Sequence, residues 1–179
     1  MSKSLDDKIQ ENHIVFIYSD MKAEATNKAI LDIMSWSKAS KDIEINVYLS
    51  AQSMGFVNTM AIYDVLASIE NPISVFCLGK VGLYSTVLLA AATKGKRYAL
   101  KHTVISLNQP YGFIDSGTNQ QTEVEIEYKR IARERNVFEQ IIADSLNKSI
   151  EEIHQYVDAD TDFSALEAKQ FGLIDEVLE

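Results

Sequence analysis

The stretch Cys77-Leu-Gly-Lys-Val-Gly-Leu-Tyr-Ser-Thr-Val-Leu-Leu-Ala-Ala-Ala-Thr-Lys-Gly-Lys-Arg-Tyr-Ala-Leu100 decides the fold of this chain. It begins at the end of a continuous apolar run, residues 73–78, which is typical of a strand buried on both faces. After a turn, the pattern predicts a helix near residues 84–93 and another strand near residues 97–99. A strand, a helix and a second strand in this order form the unit from which parallel sheets are built.

The same order of elements recurs on both sides of this stretch. Strands are predicted at residues 13–18, 44–49 and 103–107, and helices at about 21–39 and 57–68. Ser19 and Asp20 offer N-caps for the first of these helices. The repeated order predicts an α/β fold with a mixed, mostly parallel sheet and flanking helices.

The second half of the chain changes character. A turn-rich loop at residues 109–121, bounded by Pro110, precedes one long helix at about 122–147 with a charged outer face. A helix of this length often projects from a domain. Capping signals follow at Ser149-Ile-Glu-Glu152, Ser164-Ala-Leu-Glu167 and Gly172, and a last strand is predicted at residues 173–177.

Composition excludes several classes of function. The 179 residues are 46% hydrophobic and carry a formal net charge of -9, which disfavours unassisted binding to nucleic acid or anionic membranes. The lone Cys77 permits no intrachain disulfide, and no apolar run approaches the ~20 residues that span a bilayer. We expect a soluble, cytoplasmic protein. No spacing of histidines and carboxylates predicts a metal site and no glycine-rich loop predicts a phosphate, so we expect no cofactor.

Several motifs together carry a family resemblance. Lys94-Gly-Lys-Arg-Tyr-Ala-Leu100 and Phe171-Gly-Leu-Ile-Asp175 occur with the strand, turn and helix of residues 48–64 and with Asn108-Gln-Pro110. In these segments, and over nearly the whole chain from about residue 6, the sequence resembles the proteolytic subunit of the Clp protease (ClpP). The resemblance implies a single domain with a ClpP/crotonase-like fold and a projecting handle helix. The implied bounds are 1–179 for the domain, 13–108 and 149–179 for its head, and about 109–147 for its handle.

The resemblance also implies where a catalytic triad would lie. ClpP is an ATP-dependent serine endopeptidase, which needs a serine hydroxyl, a histidine that takes its proton and an aspartate that holds the histidine. The serine position is Leu83, the histidine position is Asn108, and only Asp160 stands at its expected place. A leucine cannot attack a carbonyl, and an amide has no basic lone pair near neutral pH. The sequence therefore predicts a catalytically degenerate, inactive member of the family.

The oxyanion side of the site is altered as well. Two glycines of the family are replaced by Ser53 and Met54, and Tyr84 follows the nucleophile position. Glycine permits a close backbone approach that Met54 does not, so we expect no properly aimed donor. Losing one such donor costs about 10²–10³ in rate. Because the nucleophile and the base are also replaced, we expect that the serine-protease mechanism of the family cannot operate.

Two other functions stay open. Hydrolysis could instead use a displaced nucleophile, Ser85, or else His102 or an unidentified residue. Two positions along a helix, however, rotate the side chain of Ser85 by roughly 200° from that of Leu83. We therefore favour a capping or packing serine. A binding module is the second alternative, in which Leu83, Tyr84 and Met54 would line the degenerate site for a small ligand or peptide.

The resemblance implies partners as well. We expect a structural or regulatory subunit of a ring-shaped Clp-type assembly, either homo-oligomeric or mixed with an active ClpP paralogue. Of three aromatic positions in the family's unfoldase-docking groove, Tyr48 matches, whereas Asn46 and Ser68 replace the aromatics. We expect this loss to weaken docking of the ATP-dependent unfoldase. Ala159 stands where the family typically has an arginine that pairs across the ring interface, so ring-to-ring assembly is expected to differ.

Overall fold

The computed structural model describes residues 4–111 and 121–179. The predicted irregular arm at 112–120 lies outside the described residues. The elements are α1 (Leu5–Glu11), β1 (Ile14–Tyr18), α2 (Ala23–Ala39), β2 (Ile45–Ser50), α3 (Phe56–Ser68), β3 (Ile73–Cys77), β4 (Lys80–Val81), a 3₁₀ helix (Leu83–Ala91), β5 (Arg97–Leu100), β6 (Val104–Leu107), α4 (Gln121–Leu146), α5 (Ile150–Asp158), β7 (Thr161–Ser164), α6 (Ala165–Phe171) and β8 (Glu176–Leu178).

Two sheets organise the head. The larger one has five strands in the order β1-β2-β3-β5-β8, and all of its neighbours pair in parallel. The smaller sheet has the order β4-β6-β7, with β4 parallel and β7 antiparallel to the central β6. The predicted α/β class with a mixed, mostly parallel sheet is confirmed.

One face of the large sheet carries the core. The strand register places Ile17, Leu49, Cys77 and Ala99 side by side across β1, β2, β3 and β5, and all four are fully buried. Side chains alternate between the two faces of a strand, so the preceding residues of each strand lie on the other face. Helices α2 and α3 and the 3₁₀ helix contribute further core residues, such as Ile33, Ile62 and Leu88.

The other face of the large sheet carries a row of aromatic rings, which we call the aromatic row: Phe16, Tyr48, Phe76 and Tyr98. These four residues are in register across β1, β2, β3 and β5. Their ring centroids are 5.3, 5.0 and 5.0 Å apart, which is within the range of favourable aromatic pairs. Phe16, at the sheet edge, is 48% exposed.

The segment after Gly82 differs from its prediction. Residues 84–93 were predicted as an ordinary helix, but residues Leu83–Ala91 form a 3₁₀ helix. Its first seven residues are all buried, so the segment has no polar face to set a helical period. Tight 3₁₀ turns fit a short element that is packed on every side.

Other differences concern short elements and caps. Sequence reasoning missed the short strands β4 and β7, which have two and four residues. Ser19 and Asp20 do not cap α2, because the helix begins at Ala23 and Lys22 is its N-cap. The cap predictions for Ser164 and Gly172 are confirmed by a complete capping box and a left-handed backbone with φ of 100°.

Candidate functional site

A cavity of about 610 Å³ opens where several chain segments leave the sheets. Gln52 and Ser53 follow the carboxyl end of β2, Lys80 belongs to β4, and Asn108 follows β6. Ligands of open α/β sheets bind at such carboxyl ends. The lining residues are Gln52, Ser53, Lys80, Leu83, Asn108, Gln109, Pro110, Tyr111 and Asp160. The cavity thus unites all three predicted triad positions and one predicted oxyanion position, Ser53.

Leu83 forms part of the cavity wall in a strained conformation. Its φ is 50°, in the left-handed region, where an L-residue other than Gly, Asn or Asp is uncommon and pays roughly 1–2 kcal/mol. The side chain is 9% exposed. A sharp turn of this kind presents the side chain at the cavity, and here that side chain is a hydrocarbon with no nucleophilic atom.

Asn108 lies beside the turn that precedes Leu83. A Cβ built at Gly82 would be 3.2 Å from the Oδ1 atom of Asn108, which shows how closely the amide approaches the backbone. Among the residues that the structure describes, the Asn108 side chain has no hydrogen-bond partner. An amide at this place can donate and accept hydrogen bonds but cannot take a proton.

Asp160 reaches the cavity from the end of α5. Its backbone is also left-handed, with φ of 46°, which an aspartate tolerates better than a leucine does. The Oδ1 atom accepts a hydrogen bond of 2.8 Å from the backbone N–H of Gln109. The Gln109 side chain in turn donates to the carbonyl oxygen of Asp158 over 3.0 Å. Asp160 therefore holds the start of the arm rather than orienting a histidine.

The turn after β2 is held by a residue that sequence reasoning placed elsewhere. The Ser19 hydroxyl accepts hydrogen bonds from the backbone N–H groups of Gln52, at 2.9 Å, and of Ser53, at 3.4 Å. Two consecutive backbone donors of the turn are thus occupied by a side chain of the same chain. No local signal could have revealed this contact, because Ser19 is more than 30 residues away in sequence.

Met54 and Tyr84 do not line the cavity, so their prediction as its apolar lining is wrong. Met54 is buried in the core. Tyr84 is also buried, and its hydroxyl donates to the Glu134 carboxylate of α4 over 2.6 Å. Burial, together with this hydrogen bond, raises the pKa of Tyr84 above its usual value. The glutamate also accepts from Arg130, one turn earlier on α4. The Tyr84 side chain thus joins the 3₁₀ helix to α4.

Ser85 is placed poorly for catalysis. It is fully buried, and its hydroxyl lies within hydrogen-bond reach of the carbonyl oxygens of Ala51 and Gly82. The hydroxyl therefore ties the 3₁₀ helix to the turn after β2. His102 is exposed and does not line the cavity. Cys77, the lone thiol, is buried, and burial raises its pKa to about 12, so it carries no thiolate near neutral pH.

Lys80, which lines the cavity, belongs to an ion pair. The Nζ atom of Lys80 lies 2.9 Å from the Oδ2 atom of Asp162, and the Ser106 hydroxyl donates to the other oxygen of this carboxylate. The hydrogen bond from Ser106 and the contact with Lys80 hold the pKa of Asp162 below its usual range. The pair joins β4, β6 and β7, which are the three strands of the smaller sheet.

Of the predicted docking residues, Asn46 and Tyr48 lie on the outer face of the large sheet, whereas Ser68 is the last residue of α3. Tyr48 is half-buried in the aromatic row, where it stacks between Phe16 and Phe76. Asn46 donates to the carbonyl oxygen of Asn12, and the Ser68 hydroxyl donates to a carbonyl oxygen of its own helix. Sequence reasoning missed the aromatic row. The signal was present, since each member sits on a core strand, but only the register reveals that the rings align.

Residues 4–111 and 121–179 contain neither a metal-binding cluster nor a membrane-spanning helix. No group of three or more His, Cys, Asp or Glu side chains there could hold a metal ion. No helix in these same ranges is long and apolar enough to cross a membrane.

The family assignment rests on the length of the match. A family model described as Clp protease matches residues 2–179. The chain belongs to the Clp protease family. The mostly parallel sheet with its flanking helices is consistent with the ClpP fold, and the match extends well beyond the short motifs that carry the resemblance.

Several bacterial relatives are similar over most of their length. The chain is 33% identical over 172 residues to the ATP-dependent Clp protease proteolytic subunit 2 of Frankia casuarinae, which covers 96% of this chain and 78% of that protein. It is 34% identical to proteolytic subunit 1 of Thermobifida fusca, over 96% of this chain and 76% of that one. Identity to proteolytic subunit 1 of Rhodopirellula baltica is 28%, over 98% and 76%.

Proposed function

We propose that this chain is a noncatalytic Clp-type subunit with a structural or regulatory role in a ring-shaped protease assembly. The observation that carries the proposal is the place and the chemistry of Leu83. This residue occupies a left-handed turn at the cavity where the family resemblance places a serine, and its side chain has no atom that can attack a carbonyl.

The surroundings of Leu83 support the same conclusion. Asn108 offers no basic nitrogen, and the Asp160 carboxylate is bonded to the Gln109 backbone instead of a histidine. The backbone N–H groups of Gln52 and Ser53 are bonded to the Ser19 hydroxyl rather than aimed at a substrate oxygen. The nucleophile and the base are replaced, and two backbone donors of this turn are occupied, so restoring a serine alone would not restore catalysis.

The handle supports an assembly. On α4, the side chains of Val124, Ile126 and Tyr128 are exposed, the last two by 68% and 72%. Val124 and Tyr128, four positions apart, share one face of the helix, and Ile126 is rotated by roughly 200° from each of them. Exposed apolar side chains on both sides of a long helix are typical of surfaces that other subunits cover. The relatives are proteolytic subunits of the Clp protease by name, and a second copy or an active paralogue is the partner that we propose for this surface.

The aromatic row bears on unfoldase docking. Asn46 and Ser68 remove two aromatic positions, whereas Phe16 and Phe76 place rings on either side of Tyr48. We propose weakened rather than absent docking on this face, because apolar anchors remain although their positions differ.

Catalysis is tested by covalent labelling. The purified protein is treated with a fluorophosphonate, its intact mass is measured, and turnover of a fluorogenic peptide is followed. We expect neither an adduct nor turnover. A Leu83→Ser variant is expected to stay inactive, since Asn108 is still no base. Turnover that disappears in a Ser85→Ala variant would contradict the proposal and establish the displaced nucleophile.

Assembly is tested by native mass spectrometry, with the chain alone and co-expressed with an active ClpP paralogue. We expect rings in at least one of these samples. Ile126→Glu should reduce the ring fraction, because it introduces a charge into the handle surface. Leu166→Glu is the matched control, since Leu166 is exposed to a similar extent, 65%, but lies on α6. Monomers in both samples at micromolar concentration would overturn the ring assignment.

A further inference from the structure

The charged side chains that line the cavity do not all have a partner of opposite charge. Lys80 is already paired with Asp162, so these two charges cancel at the cavity wall. Within residues 4–111 and 121–179, no lysine, arginine or histidine pairs with Asp160, whose side chain is exposed. One of its carboxylate oxygens accepts from the Gln109 backbone, which leaves the other available. The cavity therefore presents one uncompensated negative charge.

Neutral polar groups surround that charge. The side chains of Gln52, Ser53 and Asn108 line the cavity and make no hydrogen bond to any residue that the structure describes. Two amides and a hydroxyl together offer both donors and acceptors. Peptide groups, which carry one donor and one acceptor each, are suitable partners for such a set.

Apolar contacts and size restrict the ligand further. Leu83 and Pro110, both buried, supply hydrocarbon surface to the wall. A volume of about 610 Å³ lies within the range of sites for small ligands or a few residues of a peptide.

We propose that this cavity binds a short peptide segment through a primary ammonium group, with Asp160 as its counter-ion, and that the peptide is not cleaved. The ammonium donates to the free oxygen of Asp160, the peptide groups bond to Gln52 and Asn108, and an apolar side chain packs on Leu83. The absence of cleavage rests on the proposed noncatalytic function. Both a peptide amino terminus and a lysine side chain carry this ammonium chemistry.

The test uses fluorescence anisotropy of the full chain with pentapeptides that are rich in leucine and carry a dye at the carboxyl end. Four peptides separate the two sources of ammonium: a free amino terminus, an acetylated amino terminus, an acetylated amino terminus with one lysine, and the same peptide with acetyl-lysine. We expect a peptide with an ammonium group to bind roughly tenfold or more tightly than its acetylated counterpart, as expected for a charge-assisted hydrogen bond.

Two variants with opposite expectations sharpen the test. Asp160→Asn keeps an oxygen for the Gln109 N–H and removes the charge, so the preference for ammonium should disappear. Lys80→Gln leaves the Asp162 charge unpaired beside the cavity and should tighten binding of the ammonium peptides. Asp42→Asn is the matched control, because Asp42 is exposed and precedes β2 at the end opposite the cavity. It should bind as the natural chain does.

The outcomes test the ammonium site and the noncatalytic function separately. Equal binding of free and acetylated peptides, or no binding of any of them up to about 1 mM, would overturn the ammonium site. An unchanged preference in Asp160→Asn would do so as well. Mass spectrometry of the recovered peptide tests the proposed noncatalytic function separately. A cleaved peptide would contradict that function and leave the proposed binding site in place.

Discussion

A Cβ atom at Gly82 would lie 3.2 Å from the Oδ1 atom of Asn108 and equally close to the carbonyl oxygen of Gln52. The Gln52 oxygen belongs to the backbone and cannot move aside cheaply. A Gly82→Ser substitution should therefore lower the free energy of unfolding by about 1–3 kcal/mol, as overpacking of a tight site does. Urea denaturation followed by circular dichroism measures this change.

The same substitution at Gly55 serves as the control. A Cβ at Gly55 meets nothing within 4 Å, and the residue is the N-cap of α3, a position that serine favours. We expect Gly55→Ser to be neutral or slightly stabilising. Equal destabilisation by the two changes would refute the steric account of Gly82.

The left-handed turn at Leu83 predicts an inverted order of stability for two variants. Both Leu83→Ala and Leu83→Gly lose the buried side chain, but only glycine adopts a φ of 50° without strain. Leu83→Gly should therefore be the more stable of the two by roughly 1 kcal/mol. The comparison is made by urea denaturation of both variants under the same conditions.

Ala90, in the same 3₁₀ helix, is the control at a position without a left-handed backbone. Its φ is not positive, so Ala90→Gly should destabilise the protein by about 0.5–1 kcal/mol. If Leu83→Gly proves less stable than Leu83→Ala, the turn is not strained in the way its backbone angle indicates.

Much of the head could be predicted from the sequence, because its signals are local. Strands such as Ile45–Ser50 and Ile73–Cys77 are apolar or alternating runs, and α6 begins at a capping box and ends at Gly172. The three triad positions line one cavity, although Leu83 follows β4, a strand that sequence reasoning missed, and Asp160 follows the helix α5.

The rest depends on contacts between distant segments. Tyr84 and Met54 were expected to line the cavity, yet the first turns toward Glu134 of α4 and the second enters the core. Ser19 was expected to cap a helix, yet its hydroxyl accepts from the turn after β2. A local pattern specifies neither the register of strands nor the direction of a side chain at a sharp turn.

The contact between Tyr84 and Glu134 predicts a stability that falls at high pH. Burial raises the pKa of Tyr84 above the ordinary tyrosine pKa of about 10. The neutral hydroxyl therefore contributes stability that is fully present below about pH 10 and that decreases as the pH rises further. Tyr84→Phe removes this alkaline dependence. It should also cost about 1–3 kcal/mol at neutral pH, because a buried carboxylate loses a donor. Urea denaturation between neutral pH and pH 11 measures both effects.

Tyr63 supplies the control for that change. Its hydroxyl has no hydrogen-bond partner among the described residues, and the side chain is only partly buried. Tyr63→Phe should be close to neutral at pH 7. A Tyr84→Phe variant as stable as Tyr63→Phe would show that the hydroxyl contributes nothing to the junction of head and handle.

The aromatic row predicts unequal costs for two identical substitutions. Phe76 stacks on both Tyr48 and Tyr98, whereas Phe16 at the sheet edge forms, among the aromatic rings of the described residues, a pair with Tyr48 alone. Each aromatic pair contributes about 0.5–1.5 kcal/mol beyond burial. Phe76→Leu should therefore destabilise the head more than Phe16→Leu by about one such pair. Thermal and urea unfolding of both variants measure the difference, and equal costs would mean that ring stacking adds nothing to burial.

The ion pair of Lys80 and Asp162 predicts an acid-sensitive contribution to stability. The pKa of Asp162 is lower in the folded protein than its ordinary value of about 4. The charged carboxylate therefore stabilises the fold above about pH 4, and this stabilisation is lost as the pH falls through the lower pKa of the folded state. Asp162→Asn should cost at most about 1 kcal/mol at pH 7, because the pair is partly exposed. Urea denaturation of both proteins from pH 7 down to pH 2 should show the difference shrinking to zero. A difference that persists at pH 2 would assign the effect to packing, and Asp42→Asn provides the control for a lost surface charge.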